Sequence, residues 1–178
     1  MIYFAYGSNM DETRMRKRCP SAQFMFTARL PGFRIAFTRF SLNNRCGAAD
    51  IIPEPHGAVW GVVYQIKNAD RASLDKAEGV AVRAYKAISV EVCPEGDDAK
   101  CFKALTYVVV KKEDPRPKPS AEYKAMLVNG AKAWNLPPDY ITGLEKIEIM
   151  HPAELKEDTT PYHTAKTLPS DLHKSSES

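Results

Sequence analysis

The chain predicts an α+β fold in which a curved or closed sheet comes first and most of the helices follow. Strand-like runs rich in aromatic and β-branched residues dominate the chain up to residue 110, and most of the helical periodicity lies beyond it. Strands and helices do not alternate, which argues against a doubly wound parallel sheet. With 178 residues, 44% of them hydrophobic and 26% charged, the composition is that of one globular domain able to bury a core.

Each element follows from a local signal. Residues 2–6 (IYFAY) read as a strand that stops at Gly7-Ser8-Asn9. That tripeptide is either plain turn chemistry or a loop of bare backbone N–H groups that can hold an anion. Residues 11–18 form a short helix with acids at its start and bases at its end, as the helix dipole prefers. Its Arg/Lys cluster reads as a solvated face in preference to a phosphate site. Runs 22–30 and 33–40 are strand-like and separated by Pro31-Gly32, a turn signal. A polar loop over 41–50 precedes a short strand at Ile51-Ile52. Residues 57–66 form another strand, in which Gly61 marks a bulge or a close backbone approach. Residues 85–93 alternate through Ile88, Val90 and Val92, and 101–110 complete the strands.

Helices are predicted over 69–78, 120–135 and 138–148, with 114–119 (DPRPKP) as a stiff extended spacer. Ser120 caps a helix whose apolar face runs through Tyr123, Met126, Leu127, Ala131 and Trp134. Beyond Met150 the chain turns polar and unpatterned. Residues 1–150 therefore read as the folded domain, and 151–178 as a poorly ordered or surface-lying tail.

Charge and cysteines narrow the function. The net charge is +3, and the tail from His151 onward holds five acids against three lysines, so residues 1–150 carry +5. That suits small anionic substrates and is too weak for a nucleic-acid protein. No apolar run reaches membrane-spanning length. Cys19, Cys46, Cys93 and Cys101 lack zinc-ligand spacing. Cys93 and Cys101 flank a turn-like stretch and could face each other across a hairpin. With no signal peptide and a cytoplasmic setting, reduced thiols are the expectation for both.

No nucleophile elbow, P-loop or dinucleotide motif occurs, and His56 lies in a Pro-flanked turn while His151, His163 and His173 lie in the tail. One carboxylate stands out. Gly79 stops the helix over 69–78, leaving Glu78 in the last turn, where the helix's negative end disfavours it. Either it is a solvated surface glutamate, or the misplacement raises its pKa and suits it to proton transfer.

The stretches 3–9 (YFAYGSN), 60–64 (WGVVY) and 74–80 (LDKAEGV), together with Tyr85, resemble the γ-glutamylcyclotransferase family. Further matches are 20–22 (PSA), 28–30 (ARL), 122–124 (EYK) and 130–132 (GAK), so the similarity runs in order over about residues 2–148. Asn9 fits the branch acting on γ-glutamyl amino acids. Residues 46–49 (CGAA) depart from a frequent Gly-Gly pair. The resemblance implies a small mixed β-barrel with flanking helices and cyclisation of a γ-glutamyl group to 5-oxoproline, without metal or cofactor. It implies Glu78 as the catalytic acid–base. Substrate binding falls to Tyr3, Phe4, Ala5, Tyr6, Gly7, Ser8 and Asn9, with Tyr85, Tyr107 and Tyr123 lining the pocket. Tyr123 also suits the apolar helix face. The implied partner is a small γ-glutamyl molecule, with neither nucleic acid nor membrane, and a homodimer stays open. γ-Glutamyl amines, glutathione, or a non-catalytic γ-glutamyl-binding module are the competing readings.

Overall fold

The computed structural model describes residues 1–97 and 100–151. The predicted tail, apart from its first residue, lies outside the described residues. Nine elements run in the order β1 (Ile2–Ala5), α1 (Glu12–Arg18), β2 (Gln23–Ser41), β3 (Cys46–Gln65), α2 (Arg71–Ala77), β4 (Tyr85–Pro94), β5 (Phe102–Val109), α3 (Ala121–Ala133) and α4 (Pro138–Glu145). Short 3₁₀ turns intervene at Ser8–Met10, Asn68–Asp70 and Val80–Val82.

The strands close into a mixed barrel in the order β1-β3-β2-β4-β5. Every pairing is antiparallel except β1 with β5, where Tyr3 lies beside Leu105. The barrel is built largely by one long hairpin, because β2 and β3 span 19 and 20 residues.

That hairpin corrects three expectations. Pro31-Gly32 does not end a strand. It sits at a register shift between Pro31 and Phe33, with Gly32 at φ 76°, so the chain kinks and continues. The predicted strands at 51–52 and 57–66 are one strand, β3. The predicted loop over 41–50 shrinks to residues 42–45, since pairing already starts at Ser41 with Cys46. Three register shifts bend the hairpin enough to wrap the barrel.

Other signals hold. Ser120 accepts a hydrogen bond from the Tyr123 N–H at 3.1 Å, and Asp11 caps α1 through the Arg14 N–H. A Cβ on Gly61 would lie 2.3 Å from the Ala5 carbonyl oxygen and 2.8 Å from Phe4, so this position requires close backbone approach. The core includes Phe4, Ile51, Val59, Val62 and Val63 from the strands, joined by Leu127 and Ala131 of α3. Trp134 at the end of α3 donates its indole N–H to the Met10 carbonyl at 2.7 Å, tying the helix to the turn after β1.

Cys93 and Cys101 are joined in a disulfide, against the expectation of reduced thiols. The reason is register: Val92 faces Phe102 across the β4–β5 hairpin, so the next residues outward face each other with Cα atoms 4.2 Å apart. Cys19 and Cys46 are free and buried.

Candidate active site

One end of the barrel holds a narrow cleft of about 40 Å³, lined by Tyr3, Tyr6, Gly7, Ser8, Asn9, Ala49, Glu78, Tyr85, Tyr107 and Tyr123. Six elements or their ends converge there, β3 through Ala49. Tyr3 comes from β1, and the turn after it supplies Gly7, Ser8 and Asn9. Tyr85 and Tyr107 stand on β4 and β5, Tyr123 on α3, and Glu78 caps α2.

The opening loop turns sharply because Gly7 starts a 3₁₀ turn, in which Met10 donates to the Gly7 carbonyl and Asp11 to the Ser8 carbonyl. The first N–H groups of such a turn have no partner within it. Among the described residues, none accepts from the N–H of Gly7, Ser8 or Asn9. They are free for an anion.

Glu78 ends α2 with its N–H on the Leu74 carbonyl, and Gly79 follows in the left-handed conformation at φ 65°. Its side chain turns inward and is only 16% exposed, so it is no surface glutamate. Its Oε1 accepts from the Asn9 amide at 3.1 Å and from Arg18 at 3.3 Å. Arg18 also donates to Asn9 Oδ1 at 2.7 Å, and Asn9 donates to the Tyr3 hydroxyl at 2.8 Å. Asn9 is thus locked in one orientation by three partners. Burial pushes the Glu78 carboxyl above its ordinary value, and Arg18, Asn9 and Arg14 pull in the opposite direction.

The other tyrosines are held by the backbone and by one carboxylate. Tyr6 donates to the Tyr107 carbonyl at 2.6 Å and Tyr85 to the Ala49 carbonyl at 2.8 Å. The Ala49 N–H in turn donates to the Tyr123 hydroxyl at 3.2 Å, and Tyr107 donates to Asp75, which also pairs with Arg71. Burial raises the pKa of Tyr3, Tyr6, Tyr85, Tyr107 and Tyr123, so these hydroxyls stay protonated.

Phe4 and Ala5 lie outside the cleft. Phe4 is fully buried in the barrel, as alternation along β1 requires once Tyr3 faces the cleft. Sequence reasoning missed several contributors. Arg18 and Arg14 were assigned to a solvated face, yet only Arg16, paired with Glu12, and Lys17 are exposed there. Arg14 and Arg18 are four residues apart on the other side of α1, a spacing visible in the sequence. Asp75 and Ala49 act through contacts that carry no local motif.

The cleft opens into an outer cavity of about 440 Å³ that shares Ser8, Glu78, Tyr85 and Tyr123 with it and adds Arg14, Arg18, Arg39 and Lys76. A closed mixed barrel with a half-buried glutamate facing free loop N–H groups defines a small-molecule site equipped for proton transfer. Comparison with known proteins gives that class a family. The AIG2-like family pattern matches residues 58–144. Gamma-glutamylcyclotransferase from Mus musculus is 36% identical over 160 residues, covering 87% of this chain and 81% of that protein. The Homo sapiens gamma-glutamylcyclotransferase is 37% identical over 152 residues, with 83% and 78% covered. A solved gamma-glutamyl cyclotransferase superposes with a TM-score of 0.79 at 34% identity, over 84% of this chain and 89% of that one. The chain belongs to the γ-glutamylcyclotransferase family. Among the described residues, no helix is long and apolar enough to cross a membrane.

Proposed function

We propose that the protein is a γ-glutamylcyclotransferase that converts a γ-glutamyl amino acid into 5-oxoproline and the free amino acid. The observation that carries this reading is Glu78, inward-facing with its pKa raised, beside a loop whose N–H groups of Gly7 and Ser8 lack partners among the described residues. The substrate's α-carboxylate docks on that loop, which places its α-ammonium toward Glu78. Glu78 accepts a proton from the ammonium, and the freed amine attacks its own γ-carbonyl carbon. A new C–N bond closes the five-membered ring, and the original amide C–N bond breaks. Glu78 returns the proton to the departing amine, serving as base and then acid, and the second proton shed by the ring nitrogen passes to that amine, which leaves as an ammonium.

A carboxylate held above its ordinary pKa is the stronger proton acceptor, and its acid form persists nearer neutrality, so the proton is still at hand when the amine departs. The cyclisation is intramolecular, so holding the folded-back conformer draws on effective molarities of order 10⁵–10⁸ M. The protonated tyrosines wall the cleft and offer O–H groups of fixed direction. Residues 1–150 carry every group with an assigned role.

The test is 5-oxoproline release from γ-glutamyl dipeptides, γ-glutamyl amines and glutathione by the purified full chain. Turnover of the dipeptides is expected. Tight binding of a γ-glutamyl dipeptide with no 5-oxoproline formed would make the protein a binding module instead.

A further inference from the structure

The outer cavity holds positive charge that the chemistry at Glu78 does not use. Anything attached beyond the scissile amide must enter it, since the two cavities join at Ser8, Glu78, Tyr85 and Tyr123. Its lining includes Arg14, Arg18, Arg39 and Lys76, against Glu78 as the one acid. Arg18 is committed to Asn9 and Glu78. Arg16, Arg34 and Arg71 pair with Glu12, Glu54 and Asp75, whereas Arg45, Arg83 and Arg116, outside the cavity, are exposed. Arg14 and Arg39 are half-buried and take no carboxylate partner among the described residues.

A half-buried guanidinium without a carboxylate partner is available to pair with an anion that enters the cavity. Position strengthens the case. Arg39 stands at a register shift of β2, opposite Ala48, where a bulge re-aims a side chain. Its charge acts on Tyr85, whereas that of Arg14 acts on Glu78 and Tyr123. The two guanidinium groups therefore bear on different walls of the cleft mouth. Guanidinium is also the side-chain group whose planar fork matches a carboxylate.

We propose that Arg39, assisted by Arg14, forms a carboxylate-binding subsite for the leaving group, so that the protein selects γ-glutamyl substrates whose leaving amine carries a free α-carboxylate. The inference rests on the cyclotransferase reading for the direction in which the substrate lies. A γ-glutamyl amine offers these arginines nothing, and glutathione places its free carboxylate one residue further out.

The experiment compares γ-glutamylalanine with γ-glutamylethylamine, by 5-oxoproline release and by calorimetric binding, in the wild type, Arg39→Gln and Arg39→Lys. The wild type is expected to favour γ-glutamylalanine in kcat/KM and in affinity by about tenfold or more, the scale of one charge-assisted contact. In Arg39→Gln that ratio falls toward unity, mainly through KM, with the melting temperature retained. Arg39→Lys restores part of it. Arg14→Gln reduces the ratio less. A wild-type ratio near one, or a ratio unchanged in Arg39→Gln, overturns the subsite. Absence of 5-oxoproline from every substrate overturns the enzymatic reading alone, because calorimetry still reads whether the affinity ratio exists and collapses with Arg39.

Discussion

The inner cleft and the outer cavity meet at four residues yet are made of different material. In the cleft, tyrosine hydroxyls bond to main-chain groups of β3 and β5 or to Asp75, and Asn9 is fixed by Tyr3, Arg18 and Glu78. The outer cavity is lined by one side of α1, the hairpin turn over 42–45 and the segment around Gly79 and Val82, with Leu42 69% and Val82 77% exposed. Its Arg14 and Arg39 lack carboxylate partners among the described residues. A cleft held by a closed barrel keeps reacting atoms in place, while a cavity bounded by turns and long cationic side chains selects what is attached. Mutations in the first should thus lower kcat, and mutations in the second should act on KM and substrate preference.

The sharpest test of that division is Glu78→Gln. The amide keeps size and most hydrogen bonding but cannot accept the substrate's proton. General acid–base groups contribute about 10²–10⁴-fold, and one group serving both steps belongs at the upper end. Release of 5-oxoproline should fall by that factor while γ-glutamyl dipeptide binding survives. Near-normal turnover in a folded variant would remove Glu78 from the mechanism. Stability adds a signed readout. Burial raises the folded-state pKa of Glu78, so the folded protein binds its proton more tightly than the unfolded chain does. Its contribution is present below the ordinary carboxylate pKa and is lost as pH rises through the raised value. Melting temperatures should therefore shift in favour of the Gln variant as pH increases across that window.

Arg18→Gln probes the border between the two regions and should have the next largest effect. Burial raises the Glu78 pKa and Arg18 opposes it. Removing the guanidinium lets the pKa climb further, so the acidic limb of the kcat/KM profile should move to higher pH. Activity below the new limb falls and recovers in more alkaline buffer. A profile that loses height without moving would show that Arg18 only props up Asn9.

How much of this the sequence disclosed varies with the range of the interactions. Ser120, Gly61 and Glu78 were legible because a cap, a glycine in a strand and an acid at a helix end are local departures from an average pattern. The barrel's long hairpin was not, since Pro31-Gly32 carries the same chemistry in a bulge as in a turn, and only pairing with β3 decides between them. The Cys93–Cys101 bond likewise depended on hairpin register, which compartment arguments do not address. Phe4 and Ala5 were drawn into the site with their neighbours by resemblance, although strand alternation separates Phe4 from Tyr3. Arg39 gave no signal, because a lone arginine in a strand acquires meaning only when the bulge beside it faces the cavity.

The mildest expected change belongs to Ser8, which lines both regions. Among the described residues none hydrogen-bonds its hydroxyl, so nothing there activates the oxygen as a nucleophile. What the position supplies is a backbone N–H, and Ser8→Ala leaves that in place. The variant loses at most one hydroxyl contact to the bound carboxylate, worth about 1 kcal/mol. KM for a γ-glutamyl dipeptide should rise about three- to tenfold, with kcat close to the wild-type value. Mass spectrometry of the wild type quenched during turnover should find no γ-glutamyl ester on Ser8. A trapped adduct, or a kcat loss as large as that of Glu78→Gln, would replace direct ring closure with a covalent route and move Ser8 into the chemistry of the inner cleft.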